Sequence, residues 1–223
     1  MAGLEDIYRQ LTPAERTRHV PGQIFWIPAY ENMRDYHVVR VARSWDRRTD
    51  ISSATFDIEK KSISTMGAPS DLFHHMPLPE LKIKMGEELL VKKVKRRPAV
   101  LVLREGTDTR RLANNYSGVG PRPNPQSHVF APIFSLRKEG NVGADYPAAF
   151  ISKVALGELP EFLHLPSEGL VLPNESMAVF TQLQMHGESF VEETALCLQP
   201  LYFAAALETF WQDLEGQILA LEN

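Results

Sequence analysis

The pattern of apolar and polar positions predicts a chain built mainly of strands. Short apolar or alternating runs, bounded by turn residues, recur along it at the period of half-buried or buried strands. We predict strands at residues 23–30, 36–45, 54–59, 81–94, 98–103, 128–136, 146–156 and 177–184. The run PAVLVL at 98–103 is uninterrupted, which is typical of a central strand, and Pro98 occupies a first position where a missing donor is tolerated.

Both ends of the chain read as helical. Residues 3–18 contain Thr12, Pro13 and Glu15, the pattern of a capping box with proline in the first turn. Residues 201–222 carry apolar side chains at spacings of three and four, with acids on the other face. Loops are predicted at 61–80, 104–127 and 157–176, where proline, glycine and asparagine interrupt every period.

Composition narrows the class of protein. The chain has 223 residues, a net charge of −4 and one cysteine, Cys197, so a disulfide framework is excluded and a reducing compartment is expected. No secretory signal and no apolar run of membrane-spanning length is visible, so we expect a soluble, cytoplasmic protein without membrane contact. The absence of repeats and linkers predicts a single domain over 1–223.

A basic segment raises the question of function. Five of the six residues at 92–97, KKVKRR, are lysine or arginine, and they run directly into the apolar strand at 98–103. Two interpretations are open. The charges form a solvated strand edge that discourages edge-to-edge pairing, or they form a site for an anion such as phosphate.

The order of the strand segments resembles that of the PemK/MazF-like proteins, the toxins of certain bacterial toxin–antitoxin pairs. Five landmarks carry the resemblance, each similar to a family strand motif. They are PGQIFWI at 21–27, RRPAVLVL at 96–103, VFAPIFS at 129–135, YPAAFIS at 146–152 and GLVLPNESMAVFTQLQ at 169–184. The resemblance implies a mainly β fold, an SH3-like barrel of PemK/MazF type, with helices at both chain ends. Residues 31–92 exceed the family's usual loop and are predicted to be an insertion.

The resemblance also implies a chemistry. Family enzymes cut single-stranded RNA without a metal, and the arginine before the proline strand, here Arg97, is their best-placed phosphate ligand. This chain departs from the family pattern at several reactive positions. Phe134 stands where many relatives have a hydroxyl residue, with Ser135 one position later, and Val179, Thr181 and Gln184 replace groups used for proton transfer and phosphate binding.

Replacement groups are available in the sequence. We predict Arg97, Ser135 and His128 as catalytic residues, with His128 close to Arg97 if their two strands pair. Predicted substrate-binding residues are Lys95, Arg96, Arg137, Glu31 and Arg34. The adjacent histidines His74 and His75 lack partners at ligand spacing, so no metal and no cofactor is expected.

Three functions remain open on the sequence. The first is a metal-independent endoribonuclease of PemK/MazF type with an altered site. The second is a non-catalytic barrel of the same family that binds nucleic acid or protein. The third is an accessory protein whose insertion at 31–92 docks on a partner. The expected partners are single-stranded RNA, an antitoxin or another protein, and a second copy of the chain in a homodimer.

Overall fold

A computed structural model describes residues 7–30, 35–42, 55–62, 90–104, 127–137 and 146–221. The chain divides into two compact units, one of Met1–Ala29 with Arg96–Asn223 and the other of Tyr30–Lys95. The first unit is organised by an eight-stranded sheet, and the second contains a three-stranded sheet. The predicted insertion at 31–92 falls within the second unit.

The described part of the chain contains eleven strands and three α-helices. In chain order they are β1 (Tyr8–Gln10), α1 (Pro13–Arg16), β2 (Gln23–Tyr30), β3 (Asp35–Ala42), β4 (Thr55–Ser62), β5 (Leu90–Val91), β6 (Val94–Arg104), β7 (Ser127–Ser135), α2 (Ala148–Leu156), β8 (Phe162–Leu165), β9 (Ser176–Val179), β10 (Gln184–Gly187), β11 (Glu192–Leu198) and α3 (Pro200–Leu221). Single 3-10 turns at Phe180–Gln182 and Glu188–Phe190 flank β10.

The large sheet is antiparallel and has the order β1-β11-β2-β6-β7-β9-β8, with β10 also paired to β7. Strand β7 is its centre, because β6 lies along one edge while β10 and β9 follow each other along the other. In the small sheet, β3 pairs with β4 and with β5. A mainly β chain with a C-terminal helix, as predicted, is confirmed.

Both faces of the large sheet are covered by apolar side chains, because successive residues of a strand point to opposite faces. One cluster includes Ile24, Val100 and Ala131, and α3 packs onto it through Phe203, which is 4% exposed. The neighbouring residues Phe25, Ala99 and Phe130 belong to a second cluster on the other face. A third cluster joins α2 to β9 and the end of β7.

The N-terminal region is only partly as predicted. The capping box is confirmed, since Thr12 and Glu15 satisfy each other's backbone donors. The hydrogen bond from Arg9 and those from Thr12 lower the pKa of Glu15 to about 2. The helix is limited to Pro13–Arg16, however, and the prediction of a helix over 3–18 was wrong because Tyr8–Gln10 pairs with β11 as a strand.

The predicted strand at 146–156 was also wrong. Residues 148–156 form α2, which places Ile151 and Val154 on one buried side at a helical spacing of three. Pro147 precedes the first turn, and Gly157 ends the helix with φ of 70°, a left-handed conformation that glycine adopts without a steric penalty. The predicted loop at 157–176 contains β8, and β10 and β11 follow the strand that was predicted to be the last.

Within the part of the chain that the structure describes, no helix combines the length and the apolar character needed to cross a bilayer.

Candidate functional site

The basic segment at the start of β6 sends its two arginines to opposite faces of the strand. Arg96 lies over the Trp26 ring at 4.2 Å and pairs with Glu192 at 2.5 Å. These contacts follow from register, because Trp26 and Glu192 are direct partners across β2 and β11. The charge of Arg96 is therefore already balanced by a carboxylate, and the pKa of Glu192 is lowered by this pair.

Arg97 lies over a different ring. Ala99 pairs with Pro132, so continuing the β6–β7 register by two residues puts Arg97 opposite Phe134. The guanidinium carbon is 4.6 Å from the Phe134 ring centroid, and both side chains are half-buried. No carboxylate pairs with Arg97 among the described residues. We call Arg97 and Phe134 the Arg97 face.

The predicted proximity of His128 to Arg97 is wrong. The strands do pair, but they are antiparallel, so His128 is the partner of Arg104 at the far end of β7. His128 lies six positions before Phe134 along the strand, or about 20 Å at 3.3 Å per residue. The structure therefore does not bring the predicted catalytic histidine to the predicted phosphate ligand.

Ser135 stays at the same end of β7 as Arg97. It is half-buried and pairs with Ser176 of β9. Because it follows Phe134 directly, strand alternation turns its side chain to the face opposite the Phe134 ring. Ser135 and the Arg97 face thus share one end of the sheet but not one surface.

Arg137 is bound in a chain of polar contacts near that end. Its Nε donates to Glu175 Oε2 at 3.1 Å, and Glu175 Oε1 lies 3.0 Å from Nε2 of His164. His164 and then Arg137 lower the pKa of Glu175. A histidine held by a carboxylate is the arrangement of a positioned base, although sequence reasoning named neither residue. We call Arg137, Glu175 and His164 the His164 chain.

Three further residues were predicted to bind substrate. Lys95 is exposed on β6. Glu31 and Arg34 lie outside the described residues.

The other end of β7 holds a second group of polar side chains. Nδ1 of His19 lies 3.1 Å from Nε2 of His128 and 3.4 Å from a carboxylate oxygen of Glu188. His19 and His128 are buried at 6% and 2% exposure, whereas Glu188 is exposed. Burial, and after it the neighbouring His19, lowers the pKa of His128. We call His19, His128 and Glu188 the histidine cluster.

Three separate elements build the histidine cluster. His128 is fixed in β7 between Arg104 of β6 and His186 of β10. His19 follows α1 with φ of 51°, and its ring meets the edge of Phe25 at 5.2 Å. Glu188 opens the 3-10 turn after β10. Sequence reasoning missed His19 and Glu188 because 109 residues separate the two histidines and no local spacing links them.

Searches against protein-family models and against curated proteins find no match to this chain.

Proposed function

We propose that this protein is a PemK/MazF-like barrel protein that binds single-stranded RNA at the Arg97 face. The observation that carries the proposal is the guanidinium of Arg97 lying 4.6 Å over the Phe134 ring, with no carboxylate partner among the described residues. Arg96 and Arg137, by contrast, are each paired with a glutamate.

The chemistry of the pair suits a nucleic-acid strand. An arginine stacked on an aromatic ring keeps its planar N–H fork available, and that fork can contact two oxygens of one phosphate. The cation–π contact also holds the side chain in place, so less conformational entropy is lost when a phosphate binds.

One observation supports the family part of the proposal. Of the five segments that resemble the family, four contribute strands to the large sheet, namely β2, β6, β7 and β9. The fifth, at 146–152, departs from the pattern because it leads into α2. The homodimer and a protein partner such as an antitoxin belong to the same proposal.

Binding without cleavage is the better supported of the two RNA functions. Phe134 fills the position where relatives carry a hydroxyl, and His128 lies about 20 Å away along β7. If the protein does cleave RNA, the His164 chain supplies the base candidate, because it lies at the same end of the sheet and Glu175 orients the imidazole.

The proposal is tested by the affinity for a single-stranded RNA oligonucleotide, measured by fluorescence anisotropy at two salt concentrations. A charged hydrogen bond contributes about 1.5–3 kcal/mol, so Arg97→Ala should weaken binding by about tenfold to a hundredfold. Arg97→Lys should recover only part of this loss, since lysine lacks the two-point contact. The salt slope should fall by about 0.7 when one phosphate contact is lost from a single strand.

The matched control is Arg96→Ala, which removes the same charge from the neighbouring position on the opposite face. We expect it to weaken binding by less than about threefold, because Glu192 already balances Arg96. If Arg97→Ala and Arg96→Ala lose the same RNA affinity, the effect comes from net charge and not from a specific contact of Arg97. A wild-type protein that does not bind RNA would refute the proposal. If the wild type cleaves RNA in the presence of EDTA and His164→Gln does not, the protein is a ribonuclease rather than a binding protein.

A further inference from the structure

The histidine cluster lies at the opposite end of β7 from the Arg97 face, so it is independent of the RNA proposal. Its three polar side chains converge: one nitrogen of His19, one nitrogen of His128 and one oxygen of Glu188 all lie within 4.8 Å of one another. Two of these side chains are buried, and burying polar groups costs free energy unless each finds a partner.

A simple hydrogen bond at Nδ1 of His19 serves only one of its two close contacts in the cluster. An imidazole nitrogen carries either one hydrogen or one lone pair in the ring plane, so Nδ1 of His19 makes one such bond. It nevertheless faces both Nε2 of His128, at 3.1 Å, and the Glu188 carboxylate, at 3.4 Å. Whichever bond forms, the other contact lacks its hydrogen.

We propose that His19, His128 and Glu188 bind a single divalent transition-metal ion, through Nδ1 of His19, Nε2 of His128 and the carboxylate of Glu188. A cation among the three atoms would accept a lone pair from each, which resolves the conflict at Nδ1 of His19. Two imidazoles and one carboxylate form a ligand set that suits zinc and its first-row neighbours rather than calcium or magnesium, which prefer oxygen.

Two of the three distances fit this ligand set, and the third, between Nε2 of His128 and the Glu188 carboxylate, lies within 4.8 Å, so the exposed Glu188 side chain would turn toward the ion to shorten it. Metal–nitrogen bonds of about 2.0–2.1 Å at tetrahedral angles place neighbouring ligand atoms about 3.3 Å apart. The observed contacts of 3.1 Å and 3.4 Å from Nδ1 of His19 bracket that value. Because Glu188 is exposed, with 43% of its side chain accessible, the ion would keep a coordination position open to water.

The backbone around the site is held in place. Paired strands on both sides hold His128 in β7. His19 adopts φ of 51°, a left-handed conformation that is unfavourable for a residue with a Cβ. The unfavourable backbone conformation thus occurs at His19, whose Nδ1 faces both other ligands. Such conformations are common at functional sites, where they orient a side chain.

The test uses the full-length protein after chelator treatment and dialysis, titrated with Zn²⁺ in a calorimeter. We expect saturable binding of one equivalent, a rise in Tm on addition of Zn²⁺, and reversal of that rise by EDTA. In long-range ¹H–¹⁵N spectra of the histidine rings, Zn²⁺ should shift Nδ1 of His19 and Nε2 of His128. Those two nitrogens distinguish this site from His74 and His75.

Glu188→Gln is the decisive variant, because this side chain is exposed and its loss should leave the fold intact. It should weaken Zn²⁺ binding by at least tenfold. Glu193→Gln is the control, since it removes the same charge from another exposed position nearby. His128→Gln should abolish binding if the variant folds.

The proposal would be overturned by the absence of one-equivalent binding, or by Glu188→Gln binding Zn²⁺ as tightly as the wild type. Zinc-dependent shifts confined to His74 and His75 would overturn it as well.

Discussion

At the scale of single residues, Gln23 connects parts of the chain that are far apart in sequence. Its side chain is fully buried, and its amide nitrogen donates to the carbonyls of Thr194 at 3.1 Å and Arg16 at 3.4 Å. Its oxygen accepts from the backbone N–H of Val20 at 3.2 Å. One side-chain amide thus provides hydrogen-bond partners for backbone groups at the end of α1, in the turn before β2 and in the irregular stretch of β11.

Substitution of Gln23 should therefore be expensive in stability. Gln23→Met keeps the volume but leaves three backbone groups without this partner, at about 1–3 kcal/mol for each group that becomes buried and unsatisfied. Gln23→Glu should cost more at neutral pH, since a carboxylate would face two carbonyl oxygens. Urea denaturation followed by circular dichroism measures both variants, and a loss below about 1 kcal/mol for Gln23→Met would contradict this account.

Residue-scale features were predictable from sequence only when they were local. The capping box of Thr12 and Glu15 spans three residues, and its hydrogen bonds form as the spacing predicts. The contacts of Gln23 with Thr194, and of His19 with His128, cross more than a hundred positions. Only the fold creates such pairs, so no local pattern could reveal them.

At the scale of elements, the alternation of apolar and polar residues identified several strands of the sheet, but it led us to predict a strand where α2 lies. The segment YPAAFISKVAL contains apolar residues in nearly every position, which a buried strand and a short helix share. What decides between them is the tertiary position of Ile151 and Val154 against Met177 of β9. Strand β11 was missed although Thr194, Leu196 and Leu198 alternate inward, because polar residues dominate its first half.

Two glycines, one in the turn before β2 and one inside α3, should respond oppositely to the same substitution. Gly22 precedes β2 with φ of 87°, and a Cβ there would lie 3.4 Å from Phe203 and 3.5 Å from Leu198. These are ordinary contacts, so the expected cost of Gly22→Ala, about 1–2 kcal/mol, comes from the left-handed backbone.

Gly216 is exposed within α3 and has nothing within 4 Å of an added Cβ. Gly216→Ala should therefore stabilise the protein by about 0.4–1 kcal/mol, because alanine restricts the unfolded chain and favours the helix. The midpoints of urea unfolding, at unchanged m-value, measure both effects. The same sign for the two variants would show that backbone conformation does not control these positions.

At the scale of the whole molecule, the sequence predicted the composition of the fold better than its assembly. Strands β2 and β7 appear close to their predicted bounds because each buries residues on both faces, whereas β6 begins at Val94, four residues before the predicted start at Pro98. The candidate site was predictable only in part. Arg97 was expected just before a central strand, but it lies inside β6, three residues after Val94, and the antiparallel direction of β7 puts His128 at the other end. The direction and register of β7 against β6 decide which residues face each other, and neither is visible in the pattern of one strand taken alone.

Helix α3 bears on the expected homodimer. Its inner side packs on the sheet through Phe203 and Phe210, which leaves other apolar residues uncovered. Trp211 and Ile218 are seven residues apart, so they share one stripe of the helix, and they are 54% and 52% exposed. We expect this stripe to bury itself against a second copy of the chain, and we expect sedimentation velocity at micromolar concentration to show a dimer.

The double variant Trp211→Lys, Ile218→Lys should shift the protein to monomer without loss of helical signal, because a charge in the middle of an apolar interface must be desolvated. The control is Gln212→Lys with Gln217→Lys, which adds the same charge to α3. Those glutamines donate to Glu208 and Asp213 one turn earlier, so the lysines would gain favourable pairs at i, i+4. A dimer that survives the first variant would show that the two copies associate through another surface, and a monomeric wild type would refute the homodimer. Loss of the dimer in both variants would attribute the effect to the added charge rather than to the apolar stripe.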